Sequence, residues 1–197
     1  MTEQRTHFLG LRSFISITII IVLALFALTL HWMGRIPWCE CGFGLLETSA
    51  WSTSTSQHFV DPYTLSHILH GLIFYAVLNL FRKRIPLQYR LLIALGIEVG
   101  WEVLENSPII IERYRAQTAS LEYFGDSILN SLGDVLSALV GFWMAHRFSW
   151  KWTLGLLIVI EFAMLWAIRD NLTLNIIMLL TPIQAIKEWQ LKGVPTQ

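Results

Sequence analysis

The sequence has little charge for its length. Only 14% of its 197 residues are Asp, Glu, Lys or Arg, and 54% are hydrophobic, whereas a soluble domain carries about 25% charged residues. This composition excludes a separate soluble domain of useful size, and we expect residues 1–197 to form a single integral membrane domain. The formal net charge is zero, so no basic surface indicates a nucleic-acid partner.

The sequence signatures of common enzymes are also missing. There is no glycine-rich phosphate loop, and there is no nucleophile motif with a clear partner. Cysteine is scarce, since only Cys39 and Cys41 are present, in a C-x-C pair. Two thiols alone make a weak metal site, and we expect this pair to lie in an extracytoplasmic loop, either oxidised or free.

Long apolar runs dominate the rest of the sequence. Because a bilayer-spanning helix needs about 20 apolar residues, we predict an all-α fold, a polytopic transmembrane bundle with five to six helices. The predicted helices cover about residues 13–34, 63–81, 90–111, 126–146, 152–168 and 172–186. The first run is long for the apolar core of a signal peptide, so we expect it to be retained. The last run contains Pro182 and either spans the membrane or lies partly in the interface.

The distribution of positive charge predicts the orientation of the chain. With a cytoplasmic N-terminus, Arg5, Arg12 and most of the other Lys and Arg residues lie on the cytoplasmic side, as membrane proteins prefer. The opposite side then holds only Arg35, Arg113, Arg115 and Arg169. We therefore predict that the N-terminus is cytoplasmic.

Three of the predicted helices carry polar side chains at helical spacing. The resulting polar stripes are His67/His70, Glu98/Glu102/Glu105 and Asp126/Asn130/Asp134. Each stripe lies on one face of its helix, and the predicted topology places all three in the outer half of the membrane. A charge at the centre of a membrane helix costs about 2.5–3.5 kcal/mol, so the stripes must face each other or a wet cavity.

Carboxylates and imidazoles gathered in one cavity suit a divalent metal. Five carboxylates cannot all stay ionised and unpaired at low dielectric, so some must be protonated, paired or bound to a cation. The predicted metal ligands are His67, His70, Glu102, Glu105 and Asp126, of which Glu102, Glu105, Asp126 and His70 are also the predicted catalytic residues. The ion would be zinc, magnesium or manganese. Glu98, which we expect to be protonated or paired, and Asp134 are predicted to support the site; a purely structural polar network remains the alternative.

Polar residues near the outer helix ends are candidates for binding a substrate. They are Asn106, Arg113, Tyr114, Arg115 and Asn130. Arginine forks match phosphate oxygens, so Arg113 and Arg115 either bind an anionic headgroup or anchor the chain at the interface.

The motifs SHILHG, EVGWEVLENSP, ERYR and GDSILNSLGD together resemble a family of bacterial multi-pass inner-membrane proteins of unknown function. The resemblance covers about residues 37–146 and implies a location in the bacterial inner membrane. A weaker resemblance is to the VanZ-like proteins, whose pattern matches Glu105, Arg113 or Arg115, Asp126, Asn130 and Gly133. Glu98, Glu102, Asp134 and the histidine pair depart from that pattern.

Three functions are compatible with these features. The first is an outward-facing, metal-dependent enzyme that acts on a lipid-linked or phosphate-bearing substrate. The second is a non-catalytic module that binds a lipid or another ligand, as the VanZ-like resemblance implies. The third, an ion-coupled carrier, ranks last because the sequence has no inverted repeat and few polar residues towards the cytoplasmic side.

Overall fold

The computed structural model describes the backbone of residues 2–194 and the side chains of residues 13–194, so the side chains of Arg5 and Arg12 lie outside the described part. Over this range the chain forms eight helices and no strand, apart from one isolated bridge between Leu46 and Val60. The helices are α1 (Thr2–Trp32), α2 (Thr64–Asn79), α3 (Leu87–Glu105), α4 (Pro108–Gln117), α5 (Ile128–Arg147), α6 (Trp150–Ile168), α7 (Leu172–Leu180) and α8 (Gln184–Leu191). The all-α prediction is confirmed.

Three of the described helices are long and apolar enough to cross a membrane. They are α1 over Ser13–Trp32, α5 and α6. The predicted count of five to six spanning helices was therefore wrong. Helix α2 is apolar but has only 16 residues, and α3, although 19 residues long, contains Arg90 and three glutamates.

The predicted helix over residues 90–111 is interrupted by a turn. Helix α3 ends at Glu105, and Pro108 occupies the first turn of α4. Proline suits this position because it has no backbone N–H to donate, and it disfavours helical geometry at the residue before it. The break places Arg113 and Arg115 on a separate short helix rather than on the extension of α3.

The predicted C-terminal run is also divided into two helices. Helices α7 and α8 flank the segment 181–183, which contains Pro182. The nine residues of α7 extend about 14 Å at 1.5 Å per residue, which is half of the ~30 Å hydrocarbon core of a bilayer. The break between α7 and α8 therefore prevents residues 172–186 from crossing a bilayer as one straight helix.

Helices α2 and α5 pack backbone against backbone at two glycines. A Cβ atom on Gly71 would lie 1.9 Å from the carbonyl oxygen of Ala138, and one on Gly141 would lie 2.1 Å from that of Ile68. Small residues permit such close helix approach in membrane proteins. This packing brings the histidine face of α2 against the acidic face of α5.

Two apolar clusters fix the other helices around this pair. One joins α1, α3 and α5 through Phe26, Leu30, Leu95 and Val135. The other joins α2, α5 and α6 and extends to Leu172 at the start of α7. Between α2, α3 and α5 the polar stripes meet, and a cavity lies beside them.

Candidate metal centre

Two histidines of α2 converge on one glutamate of α3. The Nδ1 atom of His67 is 2.7 Å from Oε1 of Glu98, and the Nδ1 atom of His70 is 3.1 and 3.0 Å from the two carboxylate oxygens. His67 and Glu98 are buried, and His70 is half-buried. The two histidines are three residues apart and so lie on one face of α2. The structure thus brings His67, His70 and Glu98 into direct contact.

Glu102 lies one turn along α3 and is completely buried. Its Oε1 atom is 3.3 Å from Nδ1 of His67, but neither carboxylate oxygen has a hydrogen-bond partner among the described residues. Its exposed fraction is 0%. A buried carboxylate without a partner is costly, so this group requires a proton or a cation.

The spacing of these side chains fits two possible metal-ligand groups. His67, His70 and Glu98 can each offer one ligand atom with all three atoms within 4.8 Å of one another, and so can His67, Glu102 and Glu105. Both groups contain His67. The structure therefore brings together four of the five predicted metal ligands, with Glu98 added, at the α2–α3 contact.

Helix α5 supplies a second carboxylate behind His67. The Oδ2 atom of Asp134 lies 3.9 Å from Nε2 of His67, and Thr64 donates a hydrogen bond of 3.1 Å to its Oδ1 atom. The other ring nitrogen, Nδ1, faces Glu98 and Glu102. Asp134 is thus positioned to orient the imidazole rather than to replace Glu98.

Asp126, the remaining predicted metal ligand, also lines the cavity but lies outside both candidate ligand groups. Asn106 donates a hydrogen bond of 2.7 Å to its Oδ2 atom and accepts one of 2.8 Å from its backbone N–H. Tyr123 donates to the Oδ1 atom at 3.1 Å. Burial raises the pKa of Asp126 to about 6, against the lowering effect of the hydrogen bond from Asn106. Asp126 therefore keeps a proton more readily than an exposed aspartate does.

Arg113 and Arg115 do not reach the cavity. Arg113 donates hydrogen bonds to the carbonyl oxygens of Leu179 and Leu180 at the end of α7. Arg115 stacks over the ring of Phe124, 4.4 Å from its centroid. The cations predicted to hold an anionic headgroup are thus engaged elsewhere.

Of the other three predicted substrate-binding residues, Asn106 is bonded to Asp126, and Tyr114 and Asn130 lie in different environments. Tyr114 is buried and lines the cavity, and its hydroxyl donates a 2.8 Å hydrogen bond to Asn175 of α7. Burial raises the pKa of this phenol well above its usual value. Asn130 instead donates to the backbone oxygen of His58 at 2.7 Å, so its side chain fastens the loop before α2.

A cavity of about 350 Å³ lies next to the histidines. Its polar wall includes His67, His70, Glu105, Asp126 and Asp134, and its apolar wall includes Ile73, Phe74, Ile97, Trp101 and Ile176. No Lys or Arg is among the described residues that line it. The cavity lining therefore combines acidic and apolar side chains.

Asp61 also lines this cavity, although no spacing pattern in the sequence singled it out. Its carboxylate accepts hydrogen bonds from the backbone N–H groups of Ser56, Tyr63 and Thr64. Burial raises its pKa despite these bonds. An Asp-Pro pair directly before an apolar helical run is a typical helix-start signal, so Asp61 could have been found as a residue just before the start of α2.

The two cysteines form a disulfide bond within the loop after α1. Of the two states that the sequence left open, the structure contains the oxidised one. The Sγ atom of Cys41 lies 3.8 Å from Nε2 of His58. This group is separate from the histidines of α2.

Comparison with known proteins identifies relatives along most of the chain. The family described as "Protein of unknown function (DUF2585)" matches residues 30–192. A UPF0314 protein of Brucella anthropi is 49% identical over 174 residues, which cover 87% of this chain and 89% of the relative. One from Rhizobium etli is 48% identical over 180 residues, covering 91% and 92%, and one from Paracoccus denitrificans is 47% identical over 171 residues, covering 86% and 89%.

No solved structure matches the chain. The predicted resemblance to a bacterial family of unknown function is confirmed by the match over residues 30–192 and by these relatives. The chain belongs to the DUF2585 family of proteins of unknown function.

Proposed function

We propose that the protein is a metal-dependent membrane enzyme whose ion is held between α2 and α3. The ligands are His67, His70, Glu98 and Glu102. This assignment moves Glu98 from a supporting role to a ligand role and leaves Glu105 and Asp126 out of the ligand set. The observation that carries the proposal is the buried carboxylate of Glu102, which has no partner for either oxygen and lies 3.3 Å from Nδ1 of His67.

The contacts around His67 support a shared ion, since His67 belongs to both candidate ligand groups. A metal bound to nitrogen and oxygen at about 2.0–2.2 Å separates neighbouring ligand atoms by roughly 3 Å. The contacts of His67 and His70 with the two glutamates span 2.7 to 3.3 Å. A hydrogen-bonded cluster would also explain Glu98, but it leaves the carboxylate of Glu102 unsatisfied.

The donor set favours particular ions. Two imidazoles suit zinc, iron or nickel, whereas magnesium prefers sites made only of oxygen. Two carboxylates in the same set also suit manganese. We therefore propose zinc or manganese, and we do not favour magnesium.

The cavity supports a hydrolytic role for this centre. A bound divalent ion would supply an activated water and polarise a carbonyl oxygen of the substrate. The carboxyl of Asp126, held by Asn106 and Tyr123, lines the same cavity and would donate a proton to the leaving group. Asp134 would keep the His67 ring in place, since its Oδ2 atom faces Nε2.

The cavity walls support a membrane-derived acyl substrate rather than a phosphate ester. Arg113 contacts α7 and Arg115 contacts Phe124, so neither arginine would neutralise a phosphate group in the cavity. The negative charge of a phosphate would then lie against the carboxylates of the lining. The apolar wall formed by Ile73, Phe74 and Ile97 suits an acyl chain. We propose a location in the bacterial inner membrane, which the three long apolar helices α1, α5 and α6 support.

The test uses the full-length protein in detergent, stripped with a chelator and reloaded with zinc or manganese. The probes are p-nitrophenyl esters with a twelve-carbon and a two-carbon acyl chain. We expect metal-dependent hydrolysis that favours the longer chain, and its loss in Glu102→Gln. Glu112→Gln is the matched control, because Glu112 is exposed on α4.

Two results would separate the competing functions. Binding of metal and of the long-chain ester without any product would support the non-catalytic binding module instead. Equal hydrolysis by the metal-free and reloaded protein would exclude a metal-dependent enzyme.

A further inference from the structure

The disulfide between Cys39 and Cys41 is a poor candidate for a structural crosslink. It joins residues only two positions apart, and disulfide stabilisation through the unfolded chain grows with the length of the closed loop. The surrounding segment is already tied by backbone hydrogen bonds, from Glu47 to Val60 and from Val60 to Leu45. The bond therefore connects no two elements that are otherwise separate.

The two sulfur atoms differ in their accessibility. Cys41 is exposed, whereas Cys39 is only 5% exposed. An incoming thiolate can therefore reach Cys41 more easily than Cys39. In thiol–disulfide exchange, the choice of attacked sulfur depends on this access and on how well the other sulfur leaves.

Cys39 is the better leaving group in this arrangement. The backbone N–H of Cys41 points at the Sγ atom of Cys39, 3.2 Å away. A hydrogen bond of this kind stabilises the thiolate that forms when the bond breaks. The geometry thus favours attack at Cys41 and departure of Cys39.

A histidine stands beside the sulfur that would be attacked. The Nε2 atom of His58 lies 3.8 Å from Sγ of Cys41, and its Nδ1 atom lies 3.3 Å from the carbonyl oxygen of Ser54. A carbonyl oxygen can only accept, so Nδ1 carries a proton and Nε2 faces the sulfur. A histidine beside a cysteine favours its thiolate, so His58 is positioned to hold Cys41 reactive after reduction.

A second cavity, of about 400 Å³, lies along this loop. Cys39, Cys41, Arg35, Gln57 and Glu122 are among the residues that line it. It is distinct from the cavity at the histidines of α2, although Asp126 borders both. It gives an incoming thiol room to approach the exposed sulfur.

We propose that Cys39–Cys41 is a thiol–disulfide exchange site that accepts electrons from a dithiol partner. A thiolate of the partner attacks Sγ of Cys41, the S–S bond breaks, and Cys39 leaves as a thiolate. The second thiol of the partner then attacks the partner sulfur in the mixed disulfide and releases Cys41. The two thiols of the partner are oxidised to a disulfide, and the Cys39–Cys41 disulfide is reduced by the same two electrons. Two protons pass from the partner to Cys39 and Cys41.

The first experiment uses the wild-type protein in detergent and a brief exposure to glutathione, followed by acid quenching and mass spectrometry. We expect the mixed disulfide on Cys41. A mixed disulfide on Cys39, or a disulfide that dithiothreitol reduces only after denaturation, would overturn the proposal.

The second experiment compares alkylation rates of single thiols with iodoacetamide. Cys39→Ser leaves Cys41, and Cys41→Ser leaves Cys39; we expect Cys41 to react faster at pH 7. Adding His58→Gln to Cys39→Ser should slow the reaction about tenfold, the change that one pKa unit of the thiol produces, and shift its pH profile upward. His31→Gln is the control, since His31 is exposed at the end of α1. Equal rates for Cys41 with and without His58 would contradict the role of the imidazole.

Discussion

Carboxylates face both ring nitrogens of His67: Glu98 contacts Nδ1, and Asp134 faces Nε2. The Nε2 atom of His67 lies 3.9 Å from Oδ2 of Asp134, while its Nδ1 atom lies 2.7 Å from Glu98. A carboxylate behind a histidine ligand is a common arrangement, because it fixes the ring and raises its basicity. Asp134 on α5 therefore connects the packing of α2 against α5 to the proposed metal centre.

Replacing Asp134 should weaken metal binding without removing a ligand. We expect Asp134→Asn to lower the affinity for zinc about 10–100-fold, the usual effect of losing such a partner. The measurement is competition with a fluorescent zinc chelator. Asp170→Asn, which removes a buried carboxyl after α6, should leave the affinity unchanged. An unaltered affinity in Asp134→Asn would show that Asp134 does not orient the ligand.

Gly71 should tolerate no side chain at the α2–α5 contact. A Cβ atom there would lie 1.9 Å from the carbonyl oxygen of Ala138, so Gly71→Ala must separate the two helices. We expect a loss of about 1–3 kcal/mol, as for other overpacked positions, measured by thermal unfolding in detergent. Gly96→Ala is the matched control, because a Cβ on Gly96 meets nothing within 4 Å. Equal melting temperatures for the two variants would contradict the close packing.

Asp170 should make the stability depend on pH. Burial raises its pKa from 3.8 to about 6, despite the hydrogen bond from the backbone of Asn171. The folded chain then binds this proton more tightly than the unfolded chain, so stability falls as the pH rises from about 4 to about 6 and stays level above that.

The matching variant is Asp170→Asn. Between about pH 4 and pH 6, the free energy of unfolding of the wild type relative to this variant should decrease by at most about 3 kcal/mol. This limit follows from about 1.4 kcal/mol for each unit by which the pKa is raised. Thermal melts at several pH values measure it. A difference that is constant with pH, or that grows as the pH rises, would show that the carboxyl is not held protonated.

Arg113 should stabilise the end of α7 rather than bind a substrate. Its guanidinium donates to the carbonyl oxygens of Leu179 and Leu180, so Arg113→Met should increase amide hydrogen exchange in α7 and α8. Arg115→Met is the control, because Arg115 stacks on Phe124 instead. A loss of ester hydrolysis in Arg113→Met with unchanged hydrogen exchange would restore the substrate-binding role that the sequence suggested.

The sequence allowed the polar stripes to be found but not their partners. The spacing of His67/His70 and of Glu98/Glu102/Glu105 defines one face on each helix, and the cost of burying charge requires those faces to meet. Which atoms touch depends on the rotation of α2 against α3, and no pattern in the sequence specifies that rotation.

The positions of the arginines were missed for a different reason. The apolar run continues past Asn106 into the isoleucines that follow Pro108, so hydrophobicity alone extended the helix to residue 111. Pro108 and Pro182 are the local signals that end these helices. Had they been given more weight, Arg113 would have been placed on a short helix beside the C-terminal segment.

Metal content is the most direct measurement of the central claim. Full-length protein purified in detergent is supplemented with zinc or manganese, dialysed and analysed by elemental mass spectrometry. The wild type and Glu112→Gln should retain one ion per chain, and binding should raise the melting temperature as ligand linkage requires. Glu102→Gln and His67→Ala should retain none while still showing a cooperative melt. A wild-type protein that melts cooperatively but holds no metal after supplementation would contradict the account and would indicate that Glu102 is simply protonated.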